Sequence, residues 1–287
     1  MDRLNYTRHL NRAEDEHFFA NKYETYELLR DFFGRRVIRV DASSDMSEFL
    51  AFFSEHEEFI IKPIGLAESI GVRRATREEY GGDGQVAFQS ILSEMAALEA
   101  KYSKYVKWSG AVIEEVIRQG EELNKIHSAS ITPVRITTVR SGNEVSVFYP
   151  YFRIGLGREF ICSASAGSIA TGVNVTTGIT ETDGFTKWNE HYVVHPDTGI
   201  TIKGIQIPKW NELCALAKEL ALRFDTIRYI GWDFAYTADK KWVIIEGNEN
   251  GEFTEQMVYQ RGLLKEFQEL IGWKSEKAYW WEGKYIY

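Results

Sequence analysis

Two short segments near the carboxyl terminus carry the residues best suited to hold a hard cation: Gly231-Trp232-Asp233-Phe234-Ala235 and Val243-Ile244-Ile245-Glu246-Gly247-Asn248. Side chains along a strand alternate faces, so Glu246 and Asn248 point the same way, and a short hairpin brings Asp233 beside them. Three converging oxygen donors suit magnesium, which takes one or two carboxylates and completes its octahedron with water and phosphate oxygens. The competing reading is two acids that merely solvate a sheet end. Apolar runs on both sides weigh against it, since they place the acids near the core, where an unpaired charge is expensive.

A second run, Ile60-Ile61-Lys62-Pro63-Ile64-Gly65-Leu66-Ala67-Glu68-Ser69-Ile70-Gly71-Val72, sets a lysine inside an apolar strand ahead of a flexible segment. Such a lysine is costly unless it meets an anion, and the Gly/Ser segment can aim backbone N–H groups at phosphate oxygens. Neither GxxxxGK[ST] nor GxGxxG occurs. Taken alone, a surface lysine that snorkels is the more frequent explanation of such a run. A third run, Val112-Ile113-Glu114-Glu115-Val116-Ile117 followed by Gly120-Glu121-Glu122-Leu123, could link two lobes. Its backbone could read an adenine edge and the later acid could accept from ribose hydroxyls, although acid-flanked strands also occur without any ligand.

These runs need a scaffold, and the hydrophobic pattern supplies one. Phe18, Phe19, Tyr23, Tyr26, Leu29 and Phe32 recur at intervals of three and four and predict a helix over 14–33, stopped by Gly34. Val37 to Val40 reads as a strand, Met46 to Ser54 as a helix and 59–63 as a buried strand, an α/β-like opening. The glycines between Gly65 and Gly84 predict loops around a short strand, followed by a helix over 86–102. Alternating segments between Pro133 and Thr182, including Val134 to Arg140 and Val145 to Tyr149, read as an antiparallel sheet. A helix over 210–223 precedes strands at 229–236 and 241–246, joined by a turn at Thr237-Ala238-Asp239-Lys240. The whole reads as α+β, with boundaries expected at a short amino-terminal lobe (1–58), a small subdomain with a glycine-rich lid (59–118) and a carboxyl-terminal subdomain with the metal site (119–287).

Composition narrows the function classes. The 287 residues are 44% hydrophobic and 14% aromatic, enough for a substantial core. A formal net charge of -8 argues against a broad nucleic-acid footprint, so an anionic ligand must be gripped locally. No run reaches the roughly 18 to 20 apolar residues that span a bilayer, and residues 1–12 are polar, unlike a signal peptide; the cytoplasm is the expected compartment. Cys162 and Cys214 lie far apart without CxxC spacing and read as packed thiols. His127, His191 and His195 read as structural or turn-associated.

The order of the three runs, strand lysine with glycine loop, then Glu-Glu strand, then paired Asp and Glu-x-Asn, resembles the ATP-grasp superfamily over most of the chain. More narrowly the chain resembles the sugar-transfer-associated ATP-grasp branch. The resemblance rests on Phe19-Ala20-Asn21-Lys22, Ile113 to Gln119, Ser130-Ile131-Thr132-Pro133-Val134-Arg135-Ile136-Thr137-Thr138-Val139, Phe152-Arg153-Ile154-Gly155, His195-Pro196-Asp197-Thr198-Gly199 and Gly231-Trp232-Asp233. One departure is Ile131-Thr132-Pro133, where the family carries an asparagine before the Val-Arg segment.

The resemblance implies an ATP-grasp fold, two α+β subdomains clasping ATP, with ATP and Mg2+ as cofactors. It implies that Lys22 and Lys62 contact phosphates, that Ser69 and Gly71 belong to the lid, and that Glu114, Glu115, Val116 and Ile117 border adenine. Glu122, or Glu121 by a one-residue shift, would hold ribose. Arg135 and Arg153 would face the transferred phosphoryl group, and Asp233, Glu246 and Asn248 would bind the metal pair. The implied reaction is a ligation in which a carboxylate attacks the γ-phosphate and an amine displaces the resulting acyl-phosphate. The implied role is cell-surface (capsular) polysaccharide biosynthesis, joining an amino acid or amine to a sugar carboxylate such as a uronic acid or nucleotide sugar. Trp188, Trp232, Trp280 and Trp281 are candidates for stacking on a sugar face or for simple burial. A kinase acting on a hydroxyl and a non-catalytic nucleotide-binding module are the alternatives.

Overall fold

The computed structural model describes residues 3–104, 106–251 and 254–274. The aromatic tail from Ala278 to Tyr287, with Trp280 and Trp281, lies outside the described residues. Helix α1 (Arg3–Leu10), a 3-10 turn at Ala13–Asp15, α2 (His17–Ala20) and α3 (Lys22–Phe33) open the chain. The single helix predicted over 14–33 is therefore broken at Asn21, whose backbone is extended and whose side-chain oxygen accepts from the N–H groups of Tyr23 at 3.1 Å and Glu24 at 3.2 Å. An asparagine in that role satisfies donors that a continuing helix would have bonded internally, and apolar periodicity does not register the interruption. The cap fixes Lys22 as the first residue of α3.

Next come β1 (Val37–Val40), α4 (Met46–Glu55), β2 (Glu58–Pro63), β3 (Arg73–Thr76), α5 (Gly84–Lys101) and β4 (Ala111–Glu115). The strands form a sheet in the order β1-β4-β2-β3, each pair antiparallel. One face packs on α4 and α5 through Phe49, Phe52, Phe59, Ile61, Phe88, Ile91 and Ile113. Burial alternates along β2, with Phe59, Ile61 and Pro63 inside, so Lys62 projects from the opposite face. The amino-terminal residues have no sheet of their own. β1 pairs with β4 and α4 packs on the small sheet, whereas Phe19, Tyr26, Leu29 and Phe33 join the larger core.

After α6 (Glu121–Asn124), the strands β5 (Val134–Ser141), β6 (Glu144–Ile154), β7 (Ile169–Gly172), β8 (Gly184–Phe185) and β9 (His191–Tyr192) lead to α7 (Trp210–Ala221), β10 (Tyr229–Tyr236), β11 (Trp242–Asn248), α8 (Thr254–Val258) and α9 (Leu264–Ile271). The second sheet has the order β11-β10-β5-β6-β7-β8-β9 and is antiparallel throughout, so the α/β opening read from helix–strand alternation gives way to α+β. Ile136, Phe152, Trp232, Phe234 and Ile244 on one face of this sheet share a core with Leu29 of α3 and with Leu213 and Leu220 of α7. Among the described residues no helix is long and apolar enough to cross a membrane.

β4 ends at Glu115, two residues before the predicted strand does. The next residues cross to the large sheet: the Ala238 N–H donates to the Arg118 carbonyl at 2.7 Å and the Gly120 N–H to the Tyr236 carbonyl at 2.8 Å. The connection is thus pinned to the turn between β10 and β11.

Candidate functional site

On the face of the large sheet away from α7, cross-strand pairing brings the chemistry-bearing residues into rows. Glu246 of β11 lies opposite Asp233 of β10, Asp233 opposite Arg135 of β5, and Arg135 opposite Tyr151 of β6. One row along, Asn248 faces Gly231 and Gly231 faces Thr137. Opposed residues of an antiparallel pair share a face, so Asp233, Glu246 and Asn248 converge, with Arg135 next to them. A β-bulge makes this possible. Phe234 pairs with Ile244, leaving Ile245 as the extra residue. Ile244 lies in the core, so an unbroken strand would turn Glu246 toward the core too; the inserted residue reverses the phase.

Asp233 is 3% exposed. Arg135 grips it with two hydrogen bonds, Nε to Oδ1 at 2.8 Å and Nη2 to Oδ2 at 2.9 Å, and Arg153 Nη2 adds a third to Oδ1 at 2.8 Å. Burial works to raise the Asp233 pKa, but the two guanidinium charges outweigh it and the carboxyl is held below its usual range. Asn248 Nδ2 donates to Glu246 Oε1 at 3.3 Å, and both residues are partly exposed. Each carboxylate oxygen has two acceptor sites, so Asp233 can serve its arginines and a cation together. The donor set is all oxygen and fits magnesium.

The second cluster lies on the small sheet. Lys62 Nζ donates to Glu114 Oε2 at 2.9 Å, and Arg35 Nε donates to the same oxygen at 2.9 Å. Burial works to raise the Glu114 pKa, yet Arg35 and Lys62 bring it below the ordinary value. Glu114 is thus a buried counter-ion rather than a free side chain beside a base. Lys22 Nζ donates to the carbonyls of Leu66 and, at 3.4 Å, Ile64. Burial, with the charge of Lys62, lowers its pKa to about 8, while Glu246 and Glu114 oppose the shift. Lys22 therefore feels Glu246 of the large sheet and Lys62 and Glu114 of the small one, which makes the two clusters one electrostatic site.

The other predicted residues fall around this centre. Glu68 and Ser69 adopt left-handed conformations, with φ of 56° and 60°. Gly71 (φ 71°) lies so close to α5 that a Cβ would stand 2.6 Å from Leu98 Cδ1 and 2.8 Å from Pro63 Cγ. Glu121 and Glu122 are exposed in the first turn of α6, and Glu121 pairs with Lys125 at 3.3 Å. Glu115 accepts from the Arg36 N–H at 2.7 Å and bonds His56 at 2.7 Å. Val116 and Ile117 line a cleft of about 420 Å³ with Arg35, Glu58, Arg118 and Asp239, and none of Lys22, Lys62, Asp233, Glu246 or Asn248 lines it. Trp232 is fully buried in the core and Trp188 is 59% exposed. Cys162 and Cys214 are free thiols whose pKa values burial pushes up to about 12 and about 11, so neither is a thiolate near neutrality.

Two participants were not read from the sequence. Arg35, in the basic pair after Gly34, carried no local signal beyond its charge. Glu255 is 1% exposed; its Oε1 accepts from the Thr137 hydroxyl at 2.6 Å and its Oε2 has no hydrogen-bond partner. Burial raises its pKa to about 7.

Among solved structures, "ATP-grasp ligase PsnB complexed with minimal precursor" matches with a TM-score of 0.53 at 12% identity, covering 91% of this chain and 63% of that one. N5-carboxyaminoimidazole synthetase from Staphylococcus aureus matches with a TM-score of 0.42 at 11% identity, over 82% of this chain and 45% of that one. D-alanyl-alanine synthetase A from Vibrio cholerae gives 0.46 at 14% identity, over 85% and 65%. No curated protein sequence matches the chain. Two antiparallel sheets, one bearing Lys62 and the other the carboxylate row, with Lys22 at the start of α3, form an ATP-grasp fold. The family model for sugar-transfer associated ATP-grasp matches residues 2–271, and the chain belongs to that family. It spans 63% of the length of the PsnB ligase.

Proposed function

We propose that this protein is an ATP-dependent carboxylate–amine ligase that joins an amino acid or amine to a sugar carboxylate. The observation that carries the reading is the convergence of Asp233, Glu246 and Asn248 in one row, with Lys22 within electrostatic reach of Glu246 and of Lys62. Lysine cations beside a row of hard oxygen donors suit a metal-bound triphosphate.

In this reading Lys22 and Lys62 bind the phosphates, and the Ser69–Gly71 segment covers them. Val116 and Ile117 border adenine, with Glu114 and Glu115 fixing that strand, and Glu122 holds ribose. Asp233, Glu246 and Asn248 would hold Mg2+, which when bound neutralises phosphate charge. The acceptor carboxylate oxygen attacks the γ-phosphorus, the bond to the bridging oxygen breaks and ADP leaves. The amine nitrogen then attacks the acyl carbon, releasing phosphate and losing a proton. Arg135 and Arg153, fixed by Asp233, are placed to offset the charge on the transferred phosphoryl group. Little covalent chemistry falls to the protein, in keeping with its two partly buried thiols, both protonated near neutrality.

Membership of a sugar-transfer-associated family supports a uronic-acid-type acceptor and a role in capsular polysaccharide assembly in the cytoplasm. The test is product analysis with ATP, magnesium and panels of sugar acids and amines. ADP and free phosphate formed only with both co-substrates support the ligase. Phosphate retained on a hydroxyl acceptor identifies a kinase, and nucleotide binding without turnover on any panel identifies a binding module.

A further inference from the structure

Outside the row of carboxylates and arginines, His127, His195 and Asp197 each place a potential ligand atom within 4.8 Å of the other two. His127 follows α6 and is 3% exposed, and its Nε2 has no hydrogen-bond partner. A buried ring nitrogen left without a partner bears its full desolvation cost, so such groups call for an explanation. His195 is fully buried; its Nε2 lies 2.8 Å from the Gly155 carbonyl and its Nδ1 3.1 Å from the Thr198 hydroxyl. Asp197 is exposed, and one of its oxygens accepts from the Gly157 N–H at 2.7 Å. The two imidazoles meet edge to face with centroids 5.7 Å apart. At Gly155 a Cβ would stand 2.6 Å from His127 Nε2 and 2.5 Å from Ser130 Oγ, so the glycine keeps the space around that nitrogen clear of side-chain carbon.

We propose that His127, His195 and Asp197 form a site for a zinc-type divalent cation, separate from the cation site of the nucleotide. Two imidazoles and a carboxylate are the donor set of a borderline metal such as zinc, whereas magnesium prefers oxygen alone. Tetrahedral ligands at about 2.1 Å from zinc stand about 3.4 Å apart, so atoms that lie within 4.8 Å of one another close by at most about 1.4 Å when the ion enters. The exposed side of Asp197 leaves room for water as a fourth ligand. Whichever nitrogen of His195 binds, the other keeps a partner that orients the ring, the Gly155 carbonyl or the Thr198 hydroxyl. The ligands come from the end of α6 and from the turn after Val194, and both pack on Gly155, two residues beyond Arg153. A cation there ties down the end of β6 that carries Arg153, a structural clip beside the site rather than a participant in transfer.

The test uses the full chain without an affinity tag, stripped with a chelator and titrated with zinc by calorimetry and with cobalt by visible absorption. One equivalent should bind, produce tetrahedral cobalt bands and raise the melting temperature. Asp197→Ala, at an exposed position that leaves folding alone, and His127→Gln should each weaken zinc binding by about tenfold or more, with binding of a magnesium-bound ATP analogue unchanged. Wild-type protein that takes up no stoichiometric zinc, or Asp197→Ala that binds it as tightly as wild type, overturns the proposal. Should His127→Gln fail to fold, the Asp197→Ala result decides alone.

Discussion

Asp233 and Glu246 face each other, yet they do not stand in the same surroundings, and their isosteric variants separate chemistry from stability. Asp233 is enclosed and shared by two guanidinium groups. Asp233→Asn leaves two buried arginines without their counter-charge and should cost about 3 to 5 kcal/mol on unfolding by urea as well as abolishing turnover. Glu246→Gln replaces a partly exposed carboxylate whose Oε1 accepts from Asn248 Nδ2. It should shift stability by no more than about 0.5 kcal/mol while lowering ADP release severely; near-normal turnover at ordinary magnesium would remove Glu246 from the metal site. Lys22 offers a test by pH. Its depressed pKa means that the cation is present below about pH 8 and lost above it, so affinity for an ATP analogue should fall as pH rises through that value. A Lys22→Arg variant, charged throughout, should abolish this dependence. An identical pH profile in the two proteins would take Lys22 away from the phosphates.

The elements hold these residues through features that differ in how far a sequence reveals them. Gly231 is one that only the structure explains: a Cβ there would stand 2.3 Å from Arg135 Nη1. Gly231→Ala should therefore displace the guanidinium from Asp233 and lower turnover at least about tenfold, because orientation of charge is what the site contributes. Gly262→Ala, whose Cβ would meet nothing within 4 Å, should behave as wild type in the same assay. Equal rates for the two variants would show that Arg135 acts without that alignment. Strand and helix periods made β2, β10, β11, α5 and α7 legible, and with them Lys62, Asp233 and the convergence of Glu246 and Asn248. The bulge at Ile245 was not legible, since an extra residue changes which face a side chain takes without changing composition. Nor was the Asn21 cap, because a polar residue between aromatic ones reads equally well as the solvent side of a helix. The pairing of Lys62 and Arg35 with Glu114 joins residues 52 and 79 positions apart, a separation over which local pattern carries no information.

At the level of the whole molecule, Arg35 fastens the two sheets. Gly34 ends α3 in a left-handed turn with φ 58°, so close to β11 that a Cβ would lie 2.5 Å from Val243 Cγ1. The next residue sends Nη1 to the Ile244 carbonyl of the large sheet at 2.7 Å and Nε to Glu114 of the small sheet at 2.9 Å. Both side chains are almost wholly enclosed, at 4% and 6% exposure. In such surroundings a lone charge is costly and a planar fork serves two partners that an ammonium cannot. Because Lys62 leans on the same carboxylate, the pair that joins the sheets also sets the height of that lysine. Arg35→Met should destabilise the protein by about 3 to 5 kcal/mol in urea unfolding and weaken nucleotide binding although it touches no ligand. Combining it with Glu114→Gln should recover neither stability nor affinity, since Glu114 is still paired with Lys62 in Arg35→Met and its removal leaves that lysine without its anchor. A cost below about 1 kcal/mol for Arg35→Met, in the range of an exposed ion pair, would show that the sheets are held together by the shared apolar core alone.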